Sequence, residues 1–206
     1  MKDGISIDSP PSLRAWEARE GQMDALEFLA LVNNPTTLAP AGAAIHEAYL
    51  KKAIADGFTY APVRDNDAKQ KPNILQFALL SVPVKASNVG PFVSVFGYVM
   101  EQVVEKGIES LSDLRDFVQG LITRKAGWPA MLIEDEALGE RTWKVWAGYA
   151  REAEPNHPNL VETYDELDRG TKEYDLYLNA VAAEKLTEWI DDQIAREAID
   201  AEFASN

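Results

Sequence analysis

Ile45-His46-Glu47-Ala48-Tyr49, then Asp56-Gly57-Phe58-Thr59-Tyr60, then Lys69-Gln70-Lys71-Pro72-Asn73-Ile74 is the stretch around which the rest of the chain is arranged. Ile45, Tyr49, Ala53 and Ile54 recur near the spacing that aligns side chains on one helical face, so residues 41 to 56 are expected to form a helix with one buried side. Asp56-Gly57 ends it, because glycine just past the last turn takes the left-handed backbone that lets the chain turn away. Pro62 lacks the N–H that a helix interior needs. Phe58 and Tyr60 therefore enter an extended arm, where residues two apart face the same side, and both rings are expected to cover one surface.

Working outward, residues 1–11 contain Ser9-Pro10-Pro11 and read as an extended N-terminal arm. Ser12 is a good N-cap for a helix whose buried side is marked by Leu13, Trp16, Met23, Leu26 and Leu29 and which closes at Asn33-Asn34-Pro35. Downstream, the apolar run from Leu75 to Pro83 suits either an extended arm or a short strand. Phe92, Val95, Phe96, Val99, Met100 and Val103 form an apolar helical stripe that ends at Lys106-Gly107 and marks the core helix of the first half. Ser110 and Asp113 form a capping pair for a helix burying Leu111, Leu114, Phe117, Val118, Leu121 and Ile122. Gly127-Trp128-Pro129 breaks the chain. Trp143, Trp146 and Tyr149 sit on adjacent turns of a helix that stops before Pro155, and a long amphipathic helix is expected from about 172 to 203. The fold class is thus mainly α: a helical unit with extended arms at 12–106, followed by a second helical unit at 107–206.

Composition narrows the function. The 206 residues contain no cysteine, which excludes disulfides, thiolate metal sites and cysteine nucleophiles and suits a reducing cytoplasm. No window is apolar enough to span a membrane, and the first residues lack a signal core, so a soluble intracellular protein is expected. The net charge of −14 argues against direct nucleic-acid binding, which needs a basic surface. That charge is uneven: residues 134–206 hold 19 acidic against 7 basic residues, and residues 1–133 hold 15 against 13. Solvated helix faces account for such acidity, and so does a surface that meets a basic partner.

The opening stretch resembles the ryanodine-receptor-type (RyR) repeat. His46 and Glu47 followed by an aromatic, then Gly57-Phe58-x-Tyr60, then a lysine and Pro72 before an apolar residue, are similar to the pattern of small stand-alone RyR-domain proteins of bacteria and bacteriophages. Pro62-Val63-Arg64-Asp65 resembles a further element of that pattern, and the likeness covers residues 13–104. It departs in having Tyr49 and Phe58 where the family usually has tryptophan, Ala61 where it has glycine and Lys71 where it has histidine. A second phrase follows in the acidic half. His157-Pro158-Asn159-Leu160, Tyr164-Asp165-Glu166-Leu167 and Lys172-Glu173-Tyr174-Asp175 resemble the second part of the motif. Within the chain, Lys71-Pro72-Asn73-Ile74 with Lys85 and Asn88 aligns with His157-Pro158-Asn159-Leu160 with Lys172 and Asp175, and Tyr60 aligns with Trp146. The first part of the motif shows no second copy in the sequence, and chance recurrence of a Pro-Asn-Leu turn is the competing explanation.

Catalytic chemistry finds no support. A lone histidine beside an apolar helix face is more often structural than a base, and the chain has only His46 and His157. No metal-ligand spacing, P-loop, dinucleotide fingerprint or nucleophile elbow occurs, so no enzyme, metal or cofactor is expected. Binding is easier to argue. Tyr49, Phe58 and Tyr60 offer ring faces, Arg64, Lys69 and Lys71 offer cations, and His46 lies beside them. Rings that stack a heterocycle next to cations that neutralise phosphate suit a nucleotide-like ligand, although the same rings would also serve as a small core pinning the arm. Trp146, His157, Tyr164 and Lys172 are the matching candidates in the second phrase. The RyR resemblance implies a ligand-sensing or interaction module, with a nucleotide-derived ligand and a protein partner or homo-oligomer as expectations. Two alternatives stand beside it: a bacteriophage structural or assembly protein located in the virion, and an acidic inhibitor that mimics nucleic acid. A phage-encoded module would work in the host cytoplasm.

Overall fold

The helix carrying His46 starts earlier than its apolar spacing predicts. In a computed structural model describing residues 35–204, helix α1 spans Pro35–Ala55, and the N-terminal arm and helix expected before it lie outside the described residues. Ile45 and Ala53 are buried as expected, whereas Ile54, next to the end of the helix, is 59% exposed. Gly57 takes φ +87°. Its N–H donates to the Ile54 carbonyl and that of Phe58 to the Ala53 carbonyl, both at 2.9 Å, which closes the last turn with paired reverse bonds.

The arm then folds on itself. Two-residue strands β1 (Thr59–Tyr60) and β2 (Gln70–Lys71) pair in parallel, with Thr59 opposite Gln70 and Tyr60 opposite Lys71. The apolar run after Leu75 becomes a 3₁₀ turn at Phe77–Leu79 and then the start of helix α2 (Val82–Lys106), so it is neither a long arm nor a strand. Pro83 permits this because its missing N–H falls in the first turn, where no helical acceptor exists.

Helix α2 stops at Gly107 (φ +65°). Helix α3 (Leu111–Gly120) is capped by Ser110, whose hydroxyl accepts the Asp113 N–H at 3.1 Å. An antiparallel pair, β3 (Thr123–Arg124) and β4 (Met131–Leu132), brackets the loop holding Gly127 and a cis Trp128–Pro129 bond. Helix α4 (Glu136–Ala153) follows, N-capped by Asp135, then a second 3₁₀ turn at Tyr164–Glu166 and helix α5 (Arg169–Ala204). The described residues are thus mainly α-helical.

Helix α2 is the hub, packing against α1, α4 and α5. Phe92, Val95, Val99 and Val103 meet Ile45 of α1, Leu114 and Val118 of α3, Leu138 of α4, and Leu186 and Ile190 of α5 in one cluster. Residues on both sides of position 107 therefore share a core. Each such side chain contributes about 1.5–3 kcal/mol by leaving water. Helix α4 lies close against α2 at Gly90, where a Cβ would sit 3.0 Å from Val145 Cγ1, and Gly97 leaves room for the Arg141 guanidinium.

Cations from the first 133 residues reach the acidic half. Arg64 pairs with Glu154 at 2.6 Å, Arg124 with Glu184 at 2.6 Å and Arg115 with Asp191 at 3.8 Å. Among the described residues no helix is long and apolar enough to cross a membrane.

Candidate functional site

Helix α1 places His46, Tyr49 and Lys52 one turn apart on a single face. His46 is 1% exposed and holds the arm: its Nε2–H donates to the Leu75 carbonyl at 2.7 Å, and its ring lies 6.1 Å from that of Phe77 in the first 3₁₀ turn. Tyr49 stacks on His46 at 5.6 Å, and its hydroxyl donates to Asn73 Oδ1 at 2.7 Å. Burial drives the Tyr49 phenol well above its ordinary range, so it stays a donor.

These side chains form one wall of a cavity of about 480 Å³ whose opposite wall comes from α4, α5 and the loop between them. That volume is in the usual range for small-molecule sites. Three basic groups gather at one end. Lys71 Nζ lies 3.7 Å from the centre of the Phe58 ring and 5.7 Å from that of Tyr49. Burial, then the neighbouring Arg64 guanidinium, lower its pKa to about 8. Arg64 crosses from the arm to the end of α4, where Nε meets Glu154 Oε2 at 2.6 Å. His157 is pushed down to about 3 by burial first and by Arg64 and Lys71 next, which makes it neutral. Its Nδ1 accepts the Asn159 N–H at 3.1 Å, which leaves the proton on Nε2.

Aromatic faces continue the lining. Trp146 meets His157 edge-on at 4.9 Å. Trp128 stacks with Tyr174 at 6.3 Å, and Lys52 Nζ sits 4.5 Å from the Trp128 ring. Tyr174 in turn meets Tyr49 edge-on at 6.2 Å. On α5, Asp175 also borders the cavity. Part of the residue still reaches solvent, but its Oδ2 is sealed off without a hydrogen-bond partner, as is the Tyr174 hydroxyl. Burial alone raises the Asp175 carboxyl to about 8, with no cation offsetting it.

Of the residues singled out from sequence, His46, Tyr49, Phe58, Arg64, Lys71, Trp146 and His157 line this cavity together. Tyr60, Lys69, Tyr164 and Lys172 do not. Tyr60 is 52% exposed on β1, so it does not share a surface with the half-buried Phe58. Lys69 turns back at φ +53°, with Nζ on the Asp56 carbonyl at 2.5 Å. Tyr164 is buried against Trp143 at 6.1 Å, and Lys172 lies over its ring at 5.0 Å. Lys52, Trp128, Trp143, Tyr174 and Asp175 also line the cavity but were outside the sequence's candidates.

The available signal for one of these was spacing. Trp143 precedes Trp146 by three positions, as His46 precedes Tyr49, and it does the same work: its Nε1–H donates to the Asn159 carbonyl at 3.0 Å, and its ring meets the second 3₁₀ turn at 6.1 Å. One turn earlier, a Cβ at Gly42 would lie 3.1 Å from Phe77, and one at Gly139 2.5 Å from Tyr164. Trp146 follows Trp143 as Tyr49 follows His46, and both line the cavity that Tyr60 does not reach. Beyond the turns, Leu80 and Leu167 are both 7% exposed. The pairs Lys71 and His157, Asn73 and Asn159, and Asn88 and Asp175 all face the same cavity.

Among the described residues no cluster of acidic and histidine side chains could hold a metal ion. No protein-family model matches the sequence, and no curated protein matches it either.

Proposed function

We propose that the chain is a non-enzymatic binding module made of two RyR-like units, the second a diverged copy of the first, that close on one small-molecule ligand. The ligand is a flat ring bearing an anionic group, with nucleotide-derived molecules as the leading class. One observation carries this reading: the cavity between the units joins ring faces from Tyr49, Phe58 and Trp146 to Arg64, Lys71 and the N–H of His157. Arg64 lies close enough to disfavour the charge on Lys71, and an anion bound beside Lys71 would favour it, as Asp56 and Glu154 already do in part. The likeness of residues 13–104 to RyR-domain proteins adds to the reading. Neither histidine is placed to act as a base: His46 is committed to the arm, and Nδ1 of His157 already accepts the Asn159 N–H.

Trp128, Trp143 and Trp146 line the cavity, so intrinsic fluorescence should report binding directly. Titration with a panel of mono- and dinucleotides is expected to quench it saturably. Lys71→Ala and Trp146→Ala should each weaken binding about tenfold or more, the scale of a lost charged contact or stacking face. If no nucleotide gives a saturable change, or if both variants bind like the parent, the reading fails.

A further inference from the structure

Asn73 borders the cavity just after β2, two residues beyond Lys71, and its amide is held in one orientation. The Tyr49 hydroxyl donates to its Oδ1 at 2.7 Å. That bond fixes which end of the amide is which: the phenol has no other acceptor among the described residues, and a reversed amide would strand its proton. The other end of the amide, Nδ2, finds no acceptor among the described residues, and unlike Asn179 Nδ2 it is not sealed off, so it opens on the cavity. Further donors gather around it. Lys71 Nζ lies 5.7 Å from the centre of the same Tyr49 ring and likewise has no hydrogen-bond acceptor among the described residues. Asn73 and His157 share a side pocket of about 30 Å³ with Glu154, whose carboxylate Arg64 meets at 2.6 Å. A space that small keeps its lining side chains close together. The second unit has no such lock: Trp146 carries no hydroxyl, and the side chain of Asn159 makes no hydrogen bond among the described residues, so that amide is free to turn.

Resting on the ligand-binding reading above, we propose that Asn73 is a specificity-determining residue: its Nδ2–H donates to the ligand's anionic group beside Lys71, and the Tyr49 hydroxyl is the positioning group that keeps the amide oxygen turned away. The group recognised is an oxyanion, a phosphate monoester on a nucleoside-like ring. An amide free to turn accepts a donor or an acceptor alike. A locked one offers only its N–H and rejects a ligand that brings a donor to the same place.

The probes are the ribonucleoside 5′-monophosphates and their nucleosides, which keep the ring and lack the anion. Each is titrated by tryptophan fluorescence against the full chain and its variants, with thermal melts confirming that each variant folds. Asn73→Asp keeps the acceptor that Tyr49 needs and replaces only the open donor with an anionic oxygen. It should weaken monophosphate binding about tenfold or more and hold the nucleoside within about threefold of the parent. Tyr49→Phe keeps the ring face and frees the amide, so it should lower monophosphate affinity about threefold or more, spare the nucleoside, and cost nothing further when Asn73 is already alanine. If Asn73→Asp does not fold, Tyr49→Phe reads the same contact. A preference for monophosphate over nucleoside that is unchanged in either variant overturns the proposal and leaves the ligand-binding reading intact, and so does an equal loss of both probes, which would mark a structural role. Absence of binding by every nucleotide overturns both.

Discussion

Residues 42–89 and residues 139–176 both line the cavity, with similar braces and different charge. His46 and Trp143 share no side-chain class, yet each sends a ring N–H to a loop carbonyl, at 2.7 and 3.0 Å, and each braces a 3₁₀ turn. What the scaffold demands is a ring with a donor at its edge, and either residue supplies it. Where side chains face the cavity the likeness ends. Lys71 is cationic where His157 is neutral, and Asn88 donates to the Val84 carbonyl where Oδ2 of Asp175 has no partner.

The comparison breaks first if the units do not share a core. Phe92 is 2% exposed at the centre of the cluster that joins them, so Phe92→Ala should cost about 3–5 kcal/mol and lower one common transition by calorimetry. Two separated transitions would show independent units. Next come the two braces. Trp143→Ala should cost about 3–5 kcal/mol through lost volume, and His46→Ala about 1–3 kcal/mol by stranding the Leu75 carbonyl; denaturant melts that rank them the other way would mean the braces are not equivalent.

Smaller effects follow from pH. The unfolded chain protonates His157 near its ordinary 6.5 and the folded chain only near 3, so stability should rise with pH across that window, and His157→Gln should flatten the rise. Asp175 behaves in the opposite sense. The folded chain keeps its proton up to about 8 while the unfolded chain releases it near 3.8, so the Asp175 contribution falls between those values, offsets that of His157 where the two windows overlap, and should vanish in Asp175→Asn. Melting temperatures measured from pH 3 to 9 test both slopes. Anion binding should weaken above pH 8 as Lys71 loses its proton, which a titration series at fixed salt would show. Tyr60→Ala should change stability and nucleotide affinity by less than about 0.5 kcal/mol, because the ring is half exposed and outside the cavity; a large loss of affinity would return Tyr60 to the site.

Much of the helical frame was legible because local signals and tertiary structure agree. Lys106-Gly107, the Ser110 cap and the stop before Pro155 depend on backbone geometry that neighbouring residues dictate. The arm was less legible: pairing of β1 with β2 exposes Tyr60 while Phe58 turns under Lys71, and alternation along the arm does not encode that pairing. The second brace was hidden because tryptophan in place of histidine preserves an N–H and little else. Trp128, Tyr174 and Asp175 reach the cavity only when α5 packs against α1, a contact more than a hundred residues apart in sequence that no local pattern announces.

Gly90 acts as a thickness gauge. It lies on the face of α2 that α4 crosses, and what it contributes is the absence of a methyl group. Gly90 presses on Val145, the residue before Trp146, and lies two residues from Asn88, so the spacing of the two cavity walls is calibrated in the dry interior, remote from the loops that any ligand would touch. Aperture is then a property of the core, set where α2 and α4 pack rather than where the loops end.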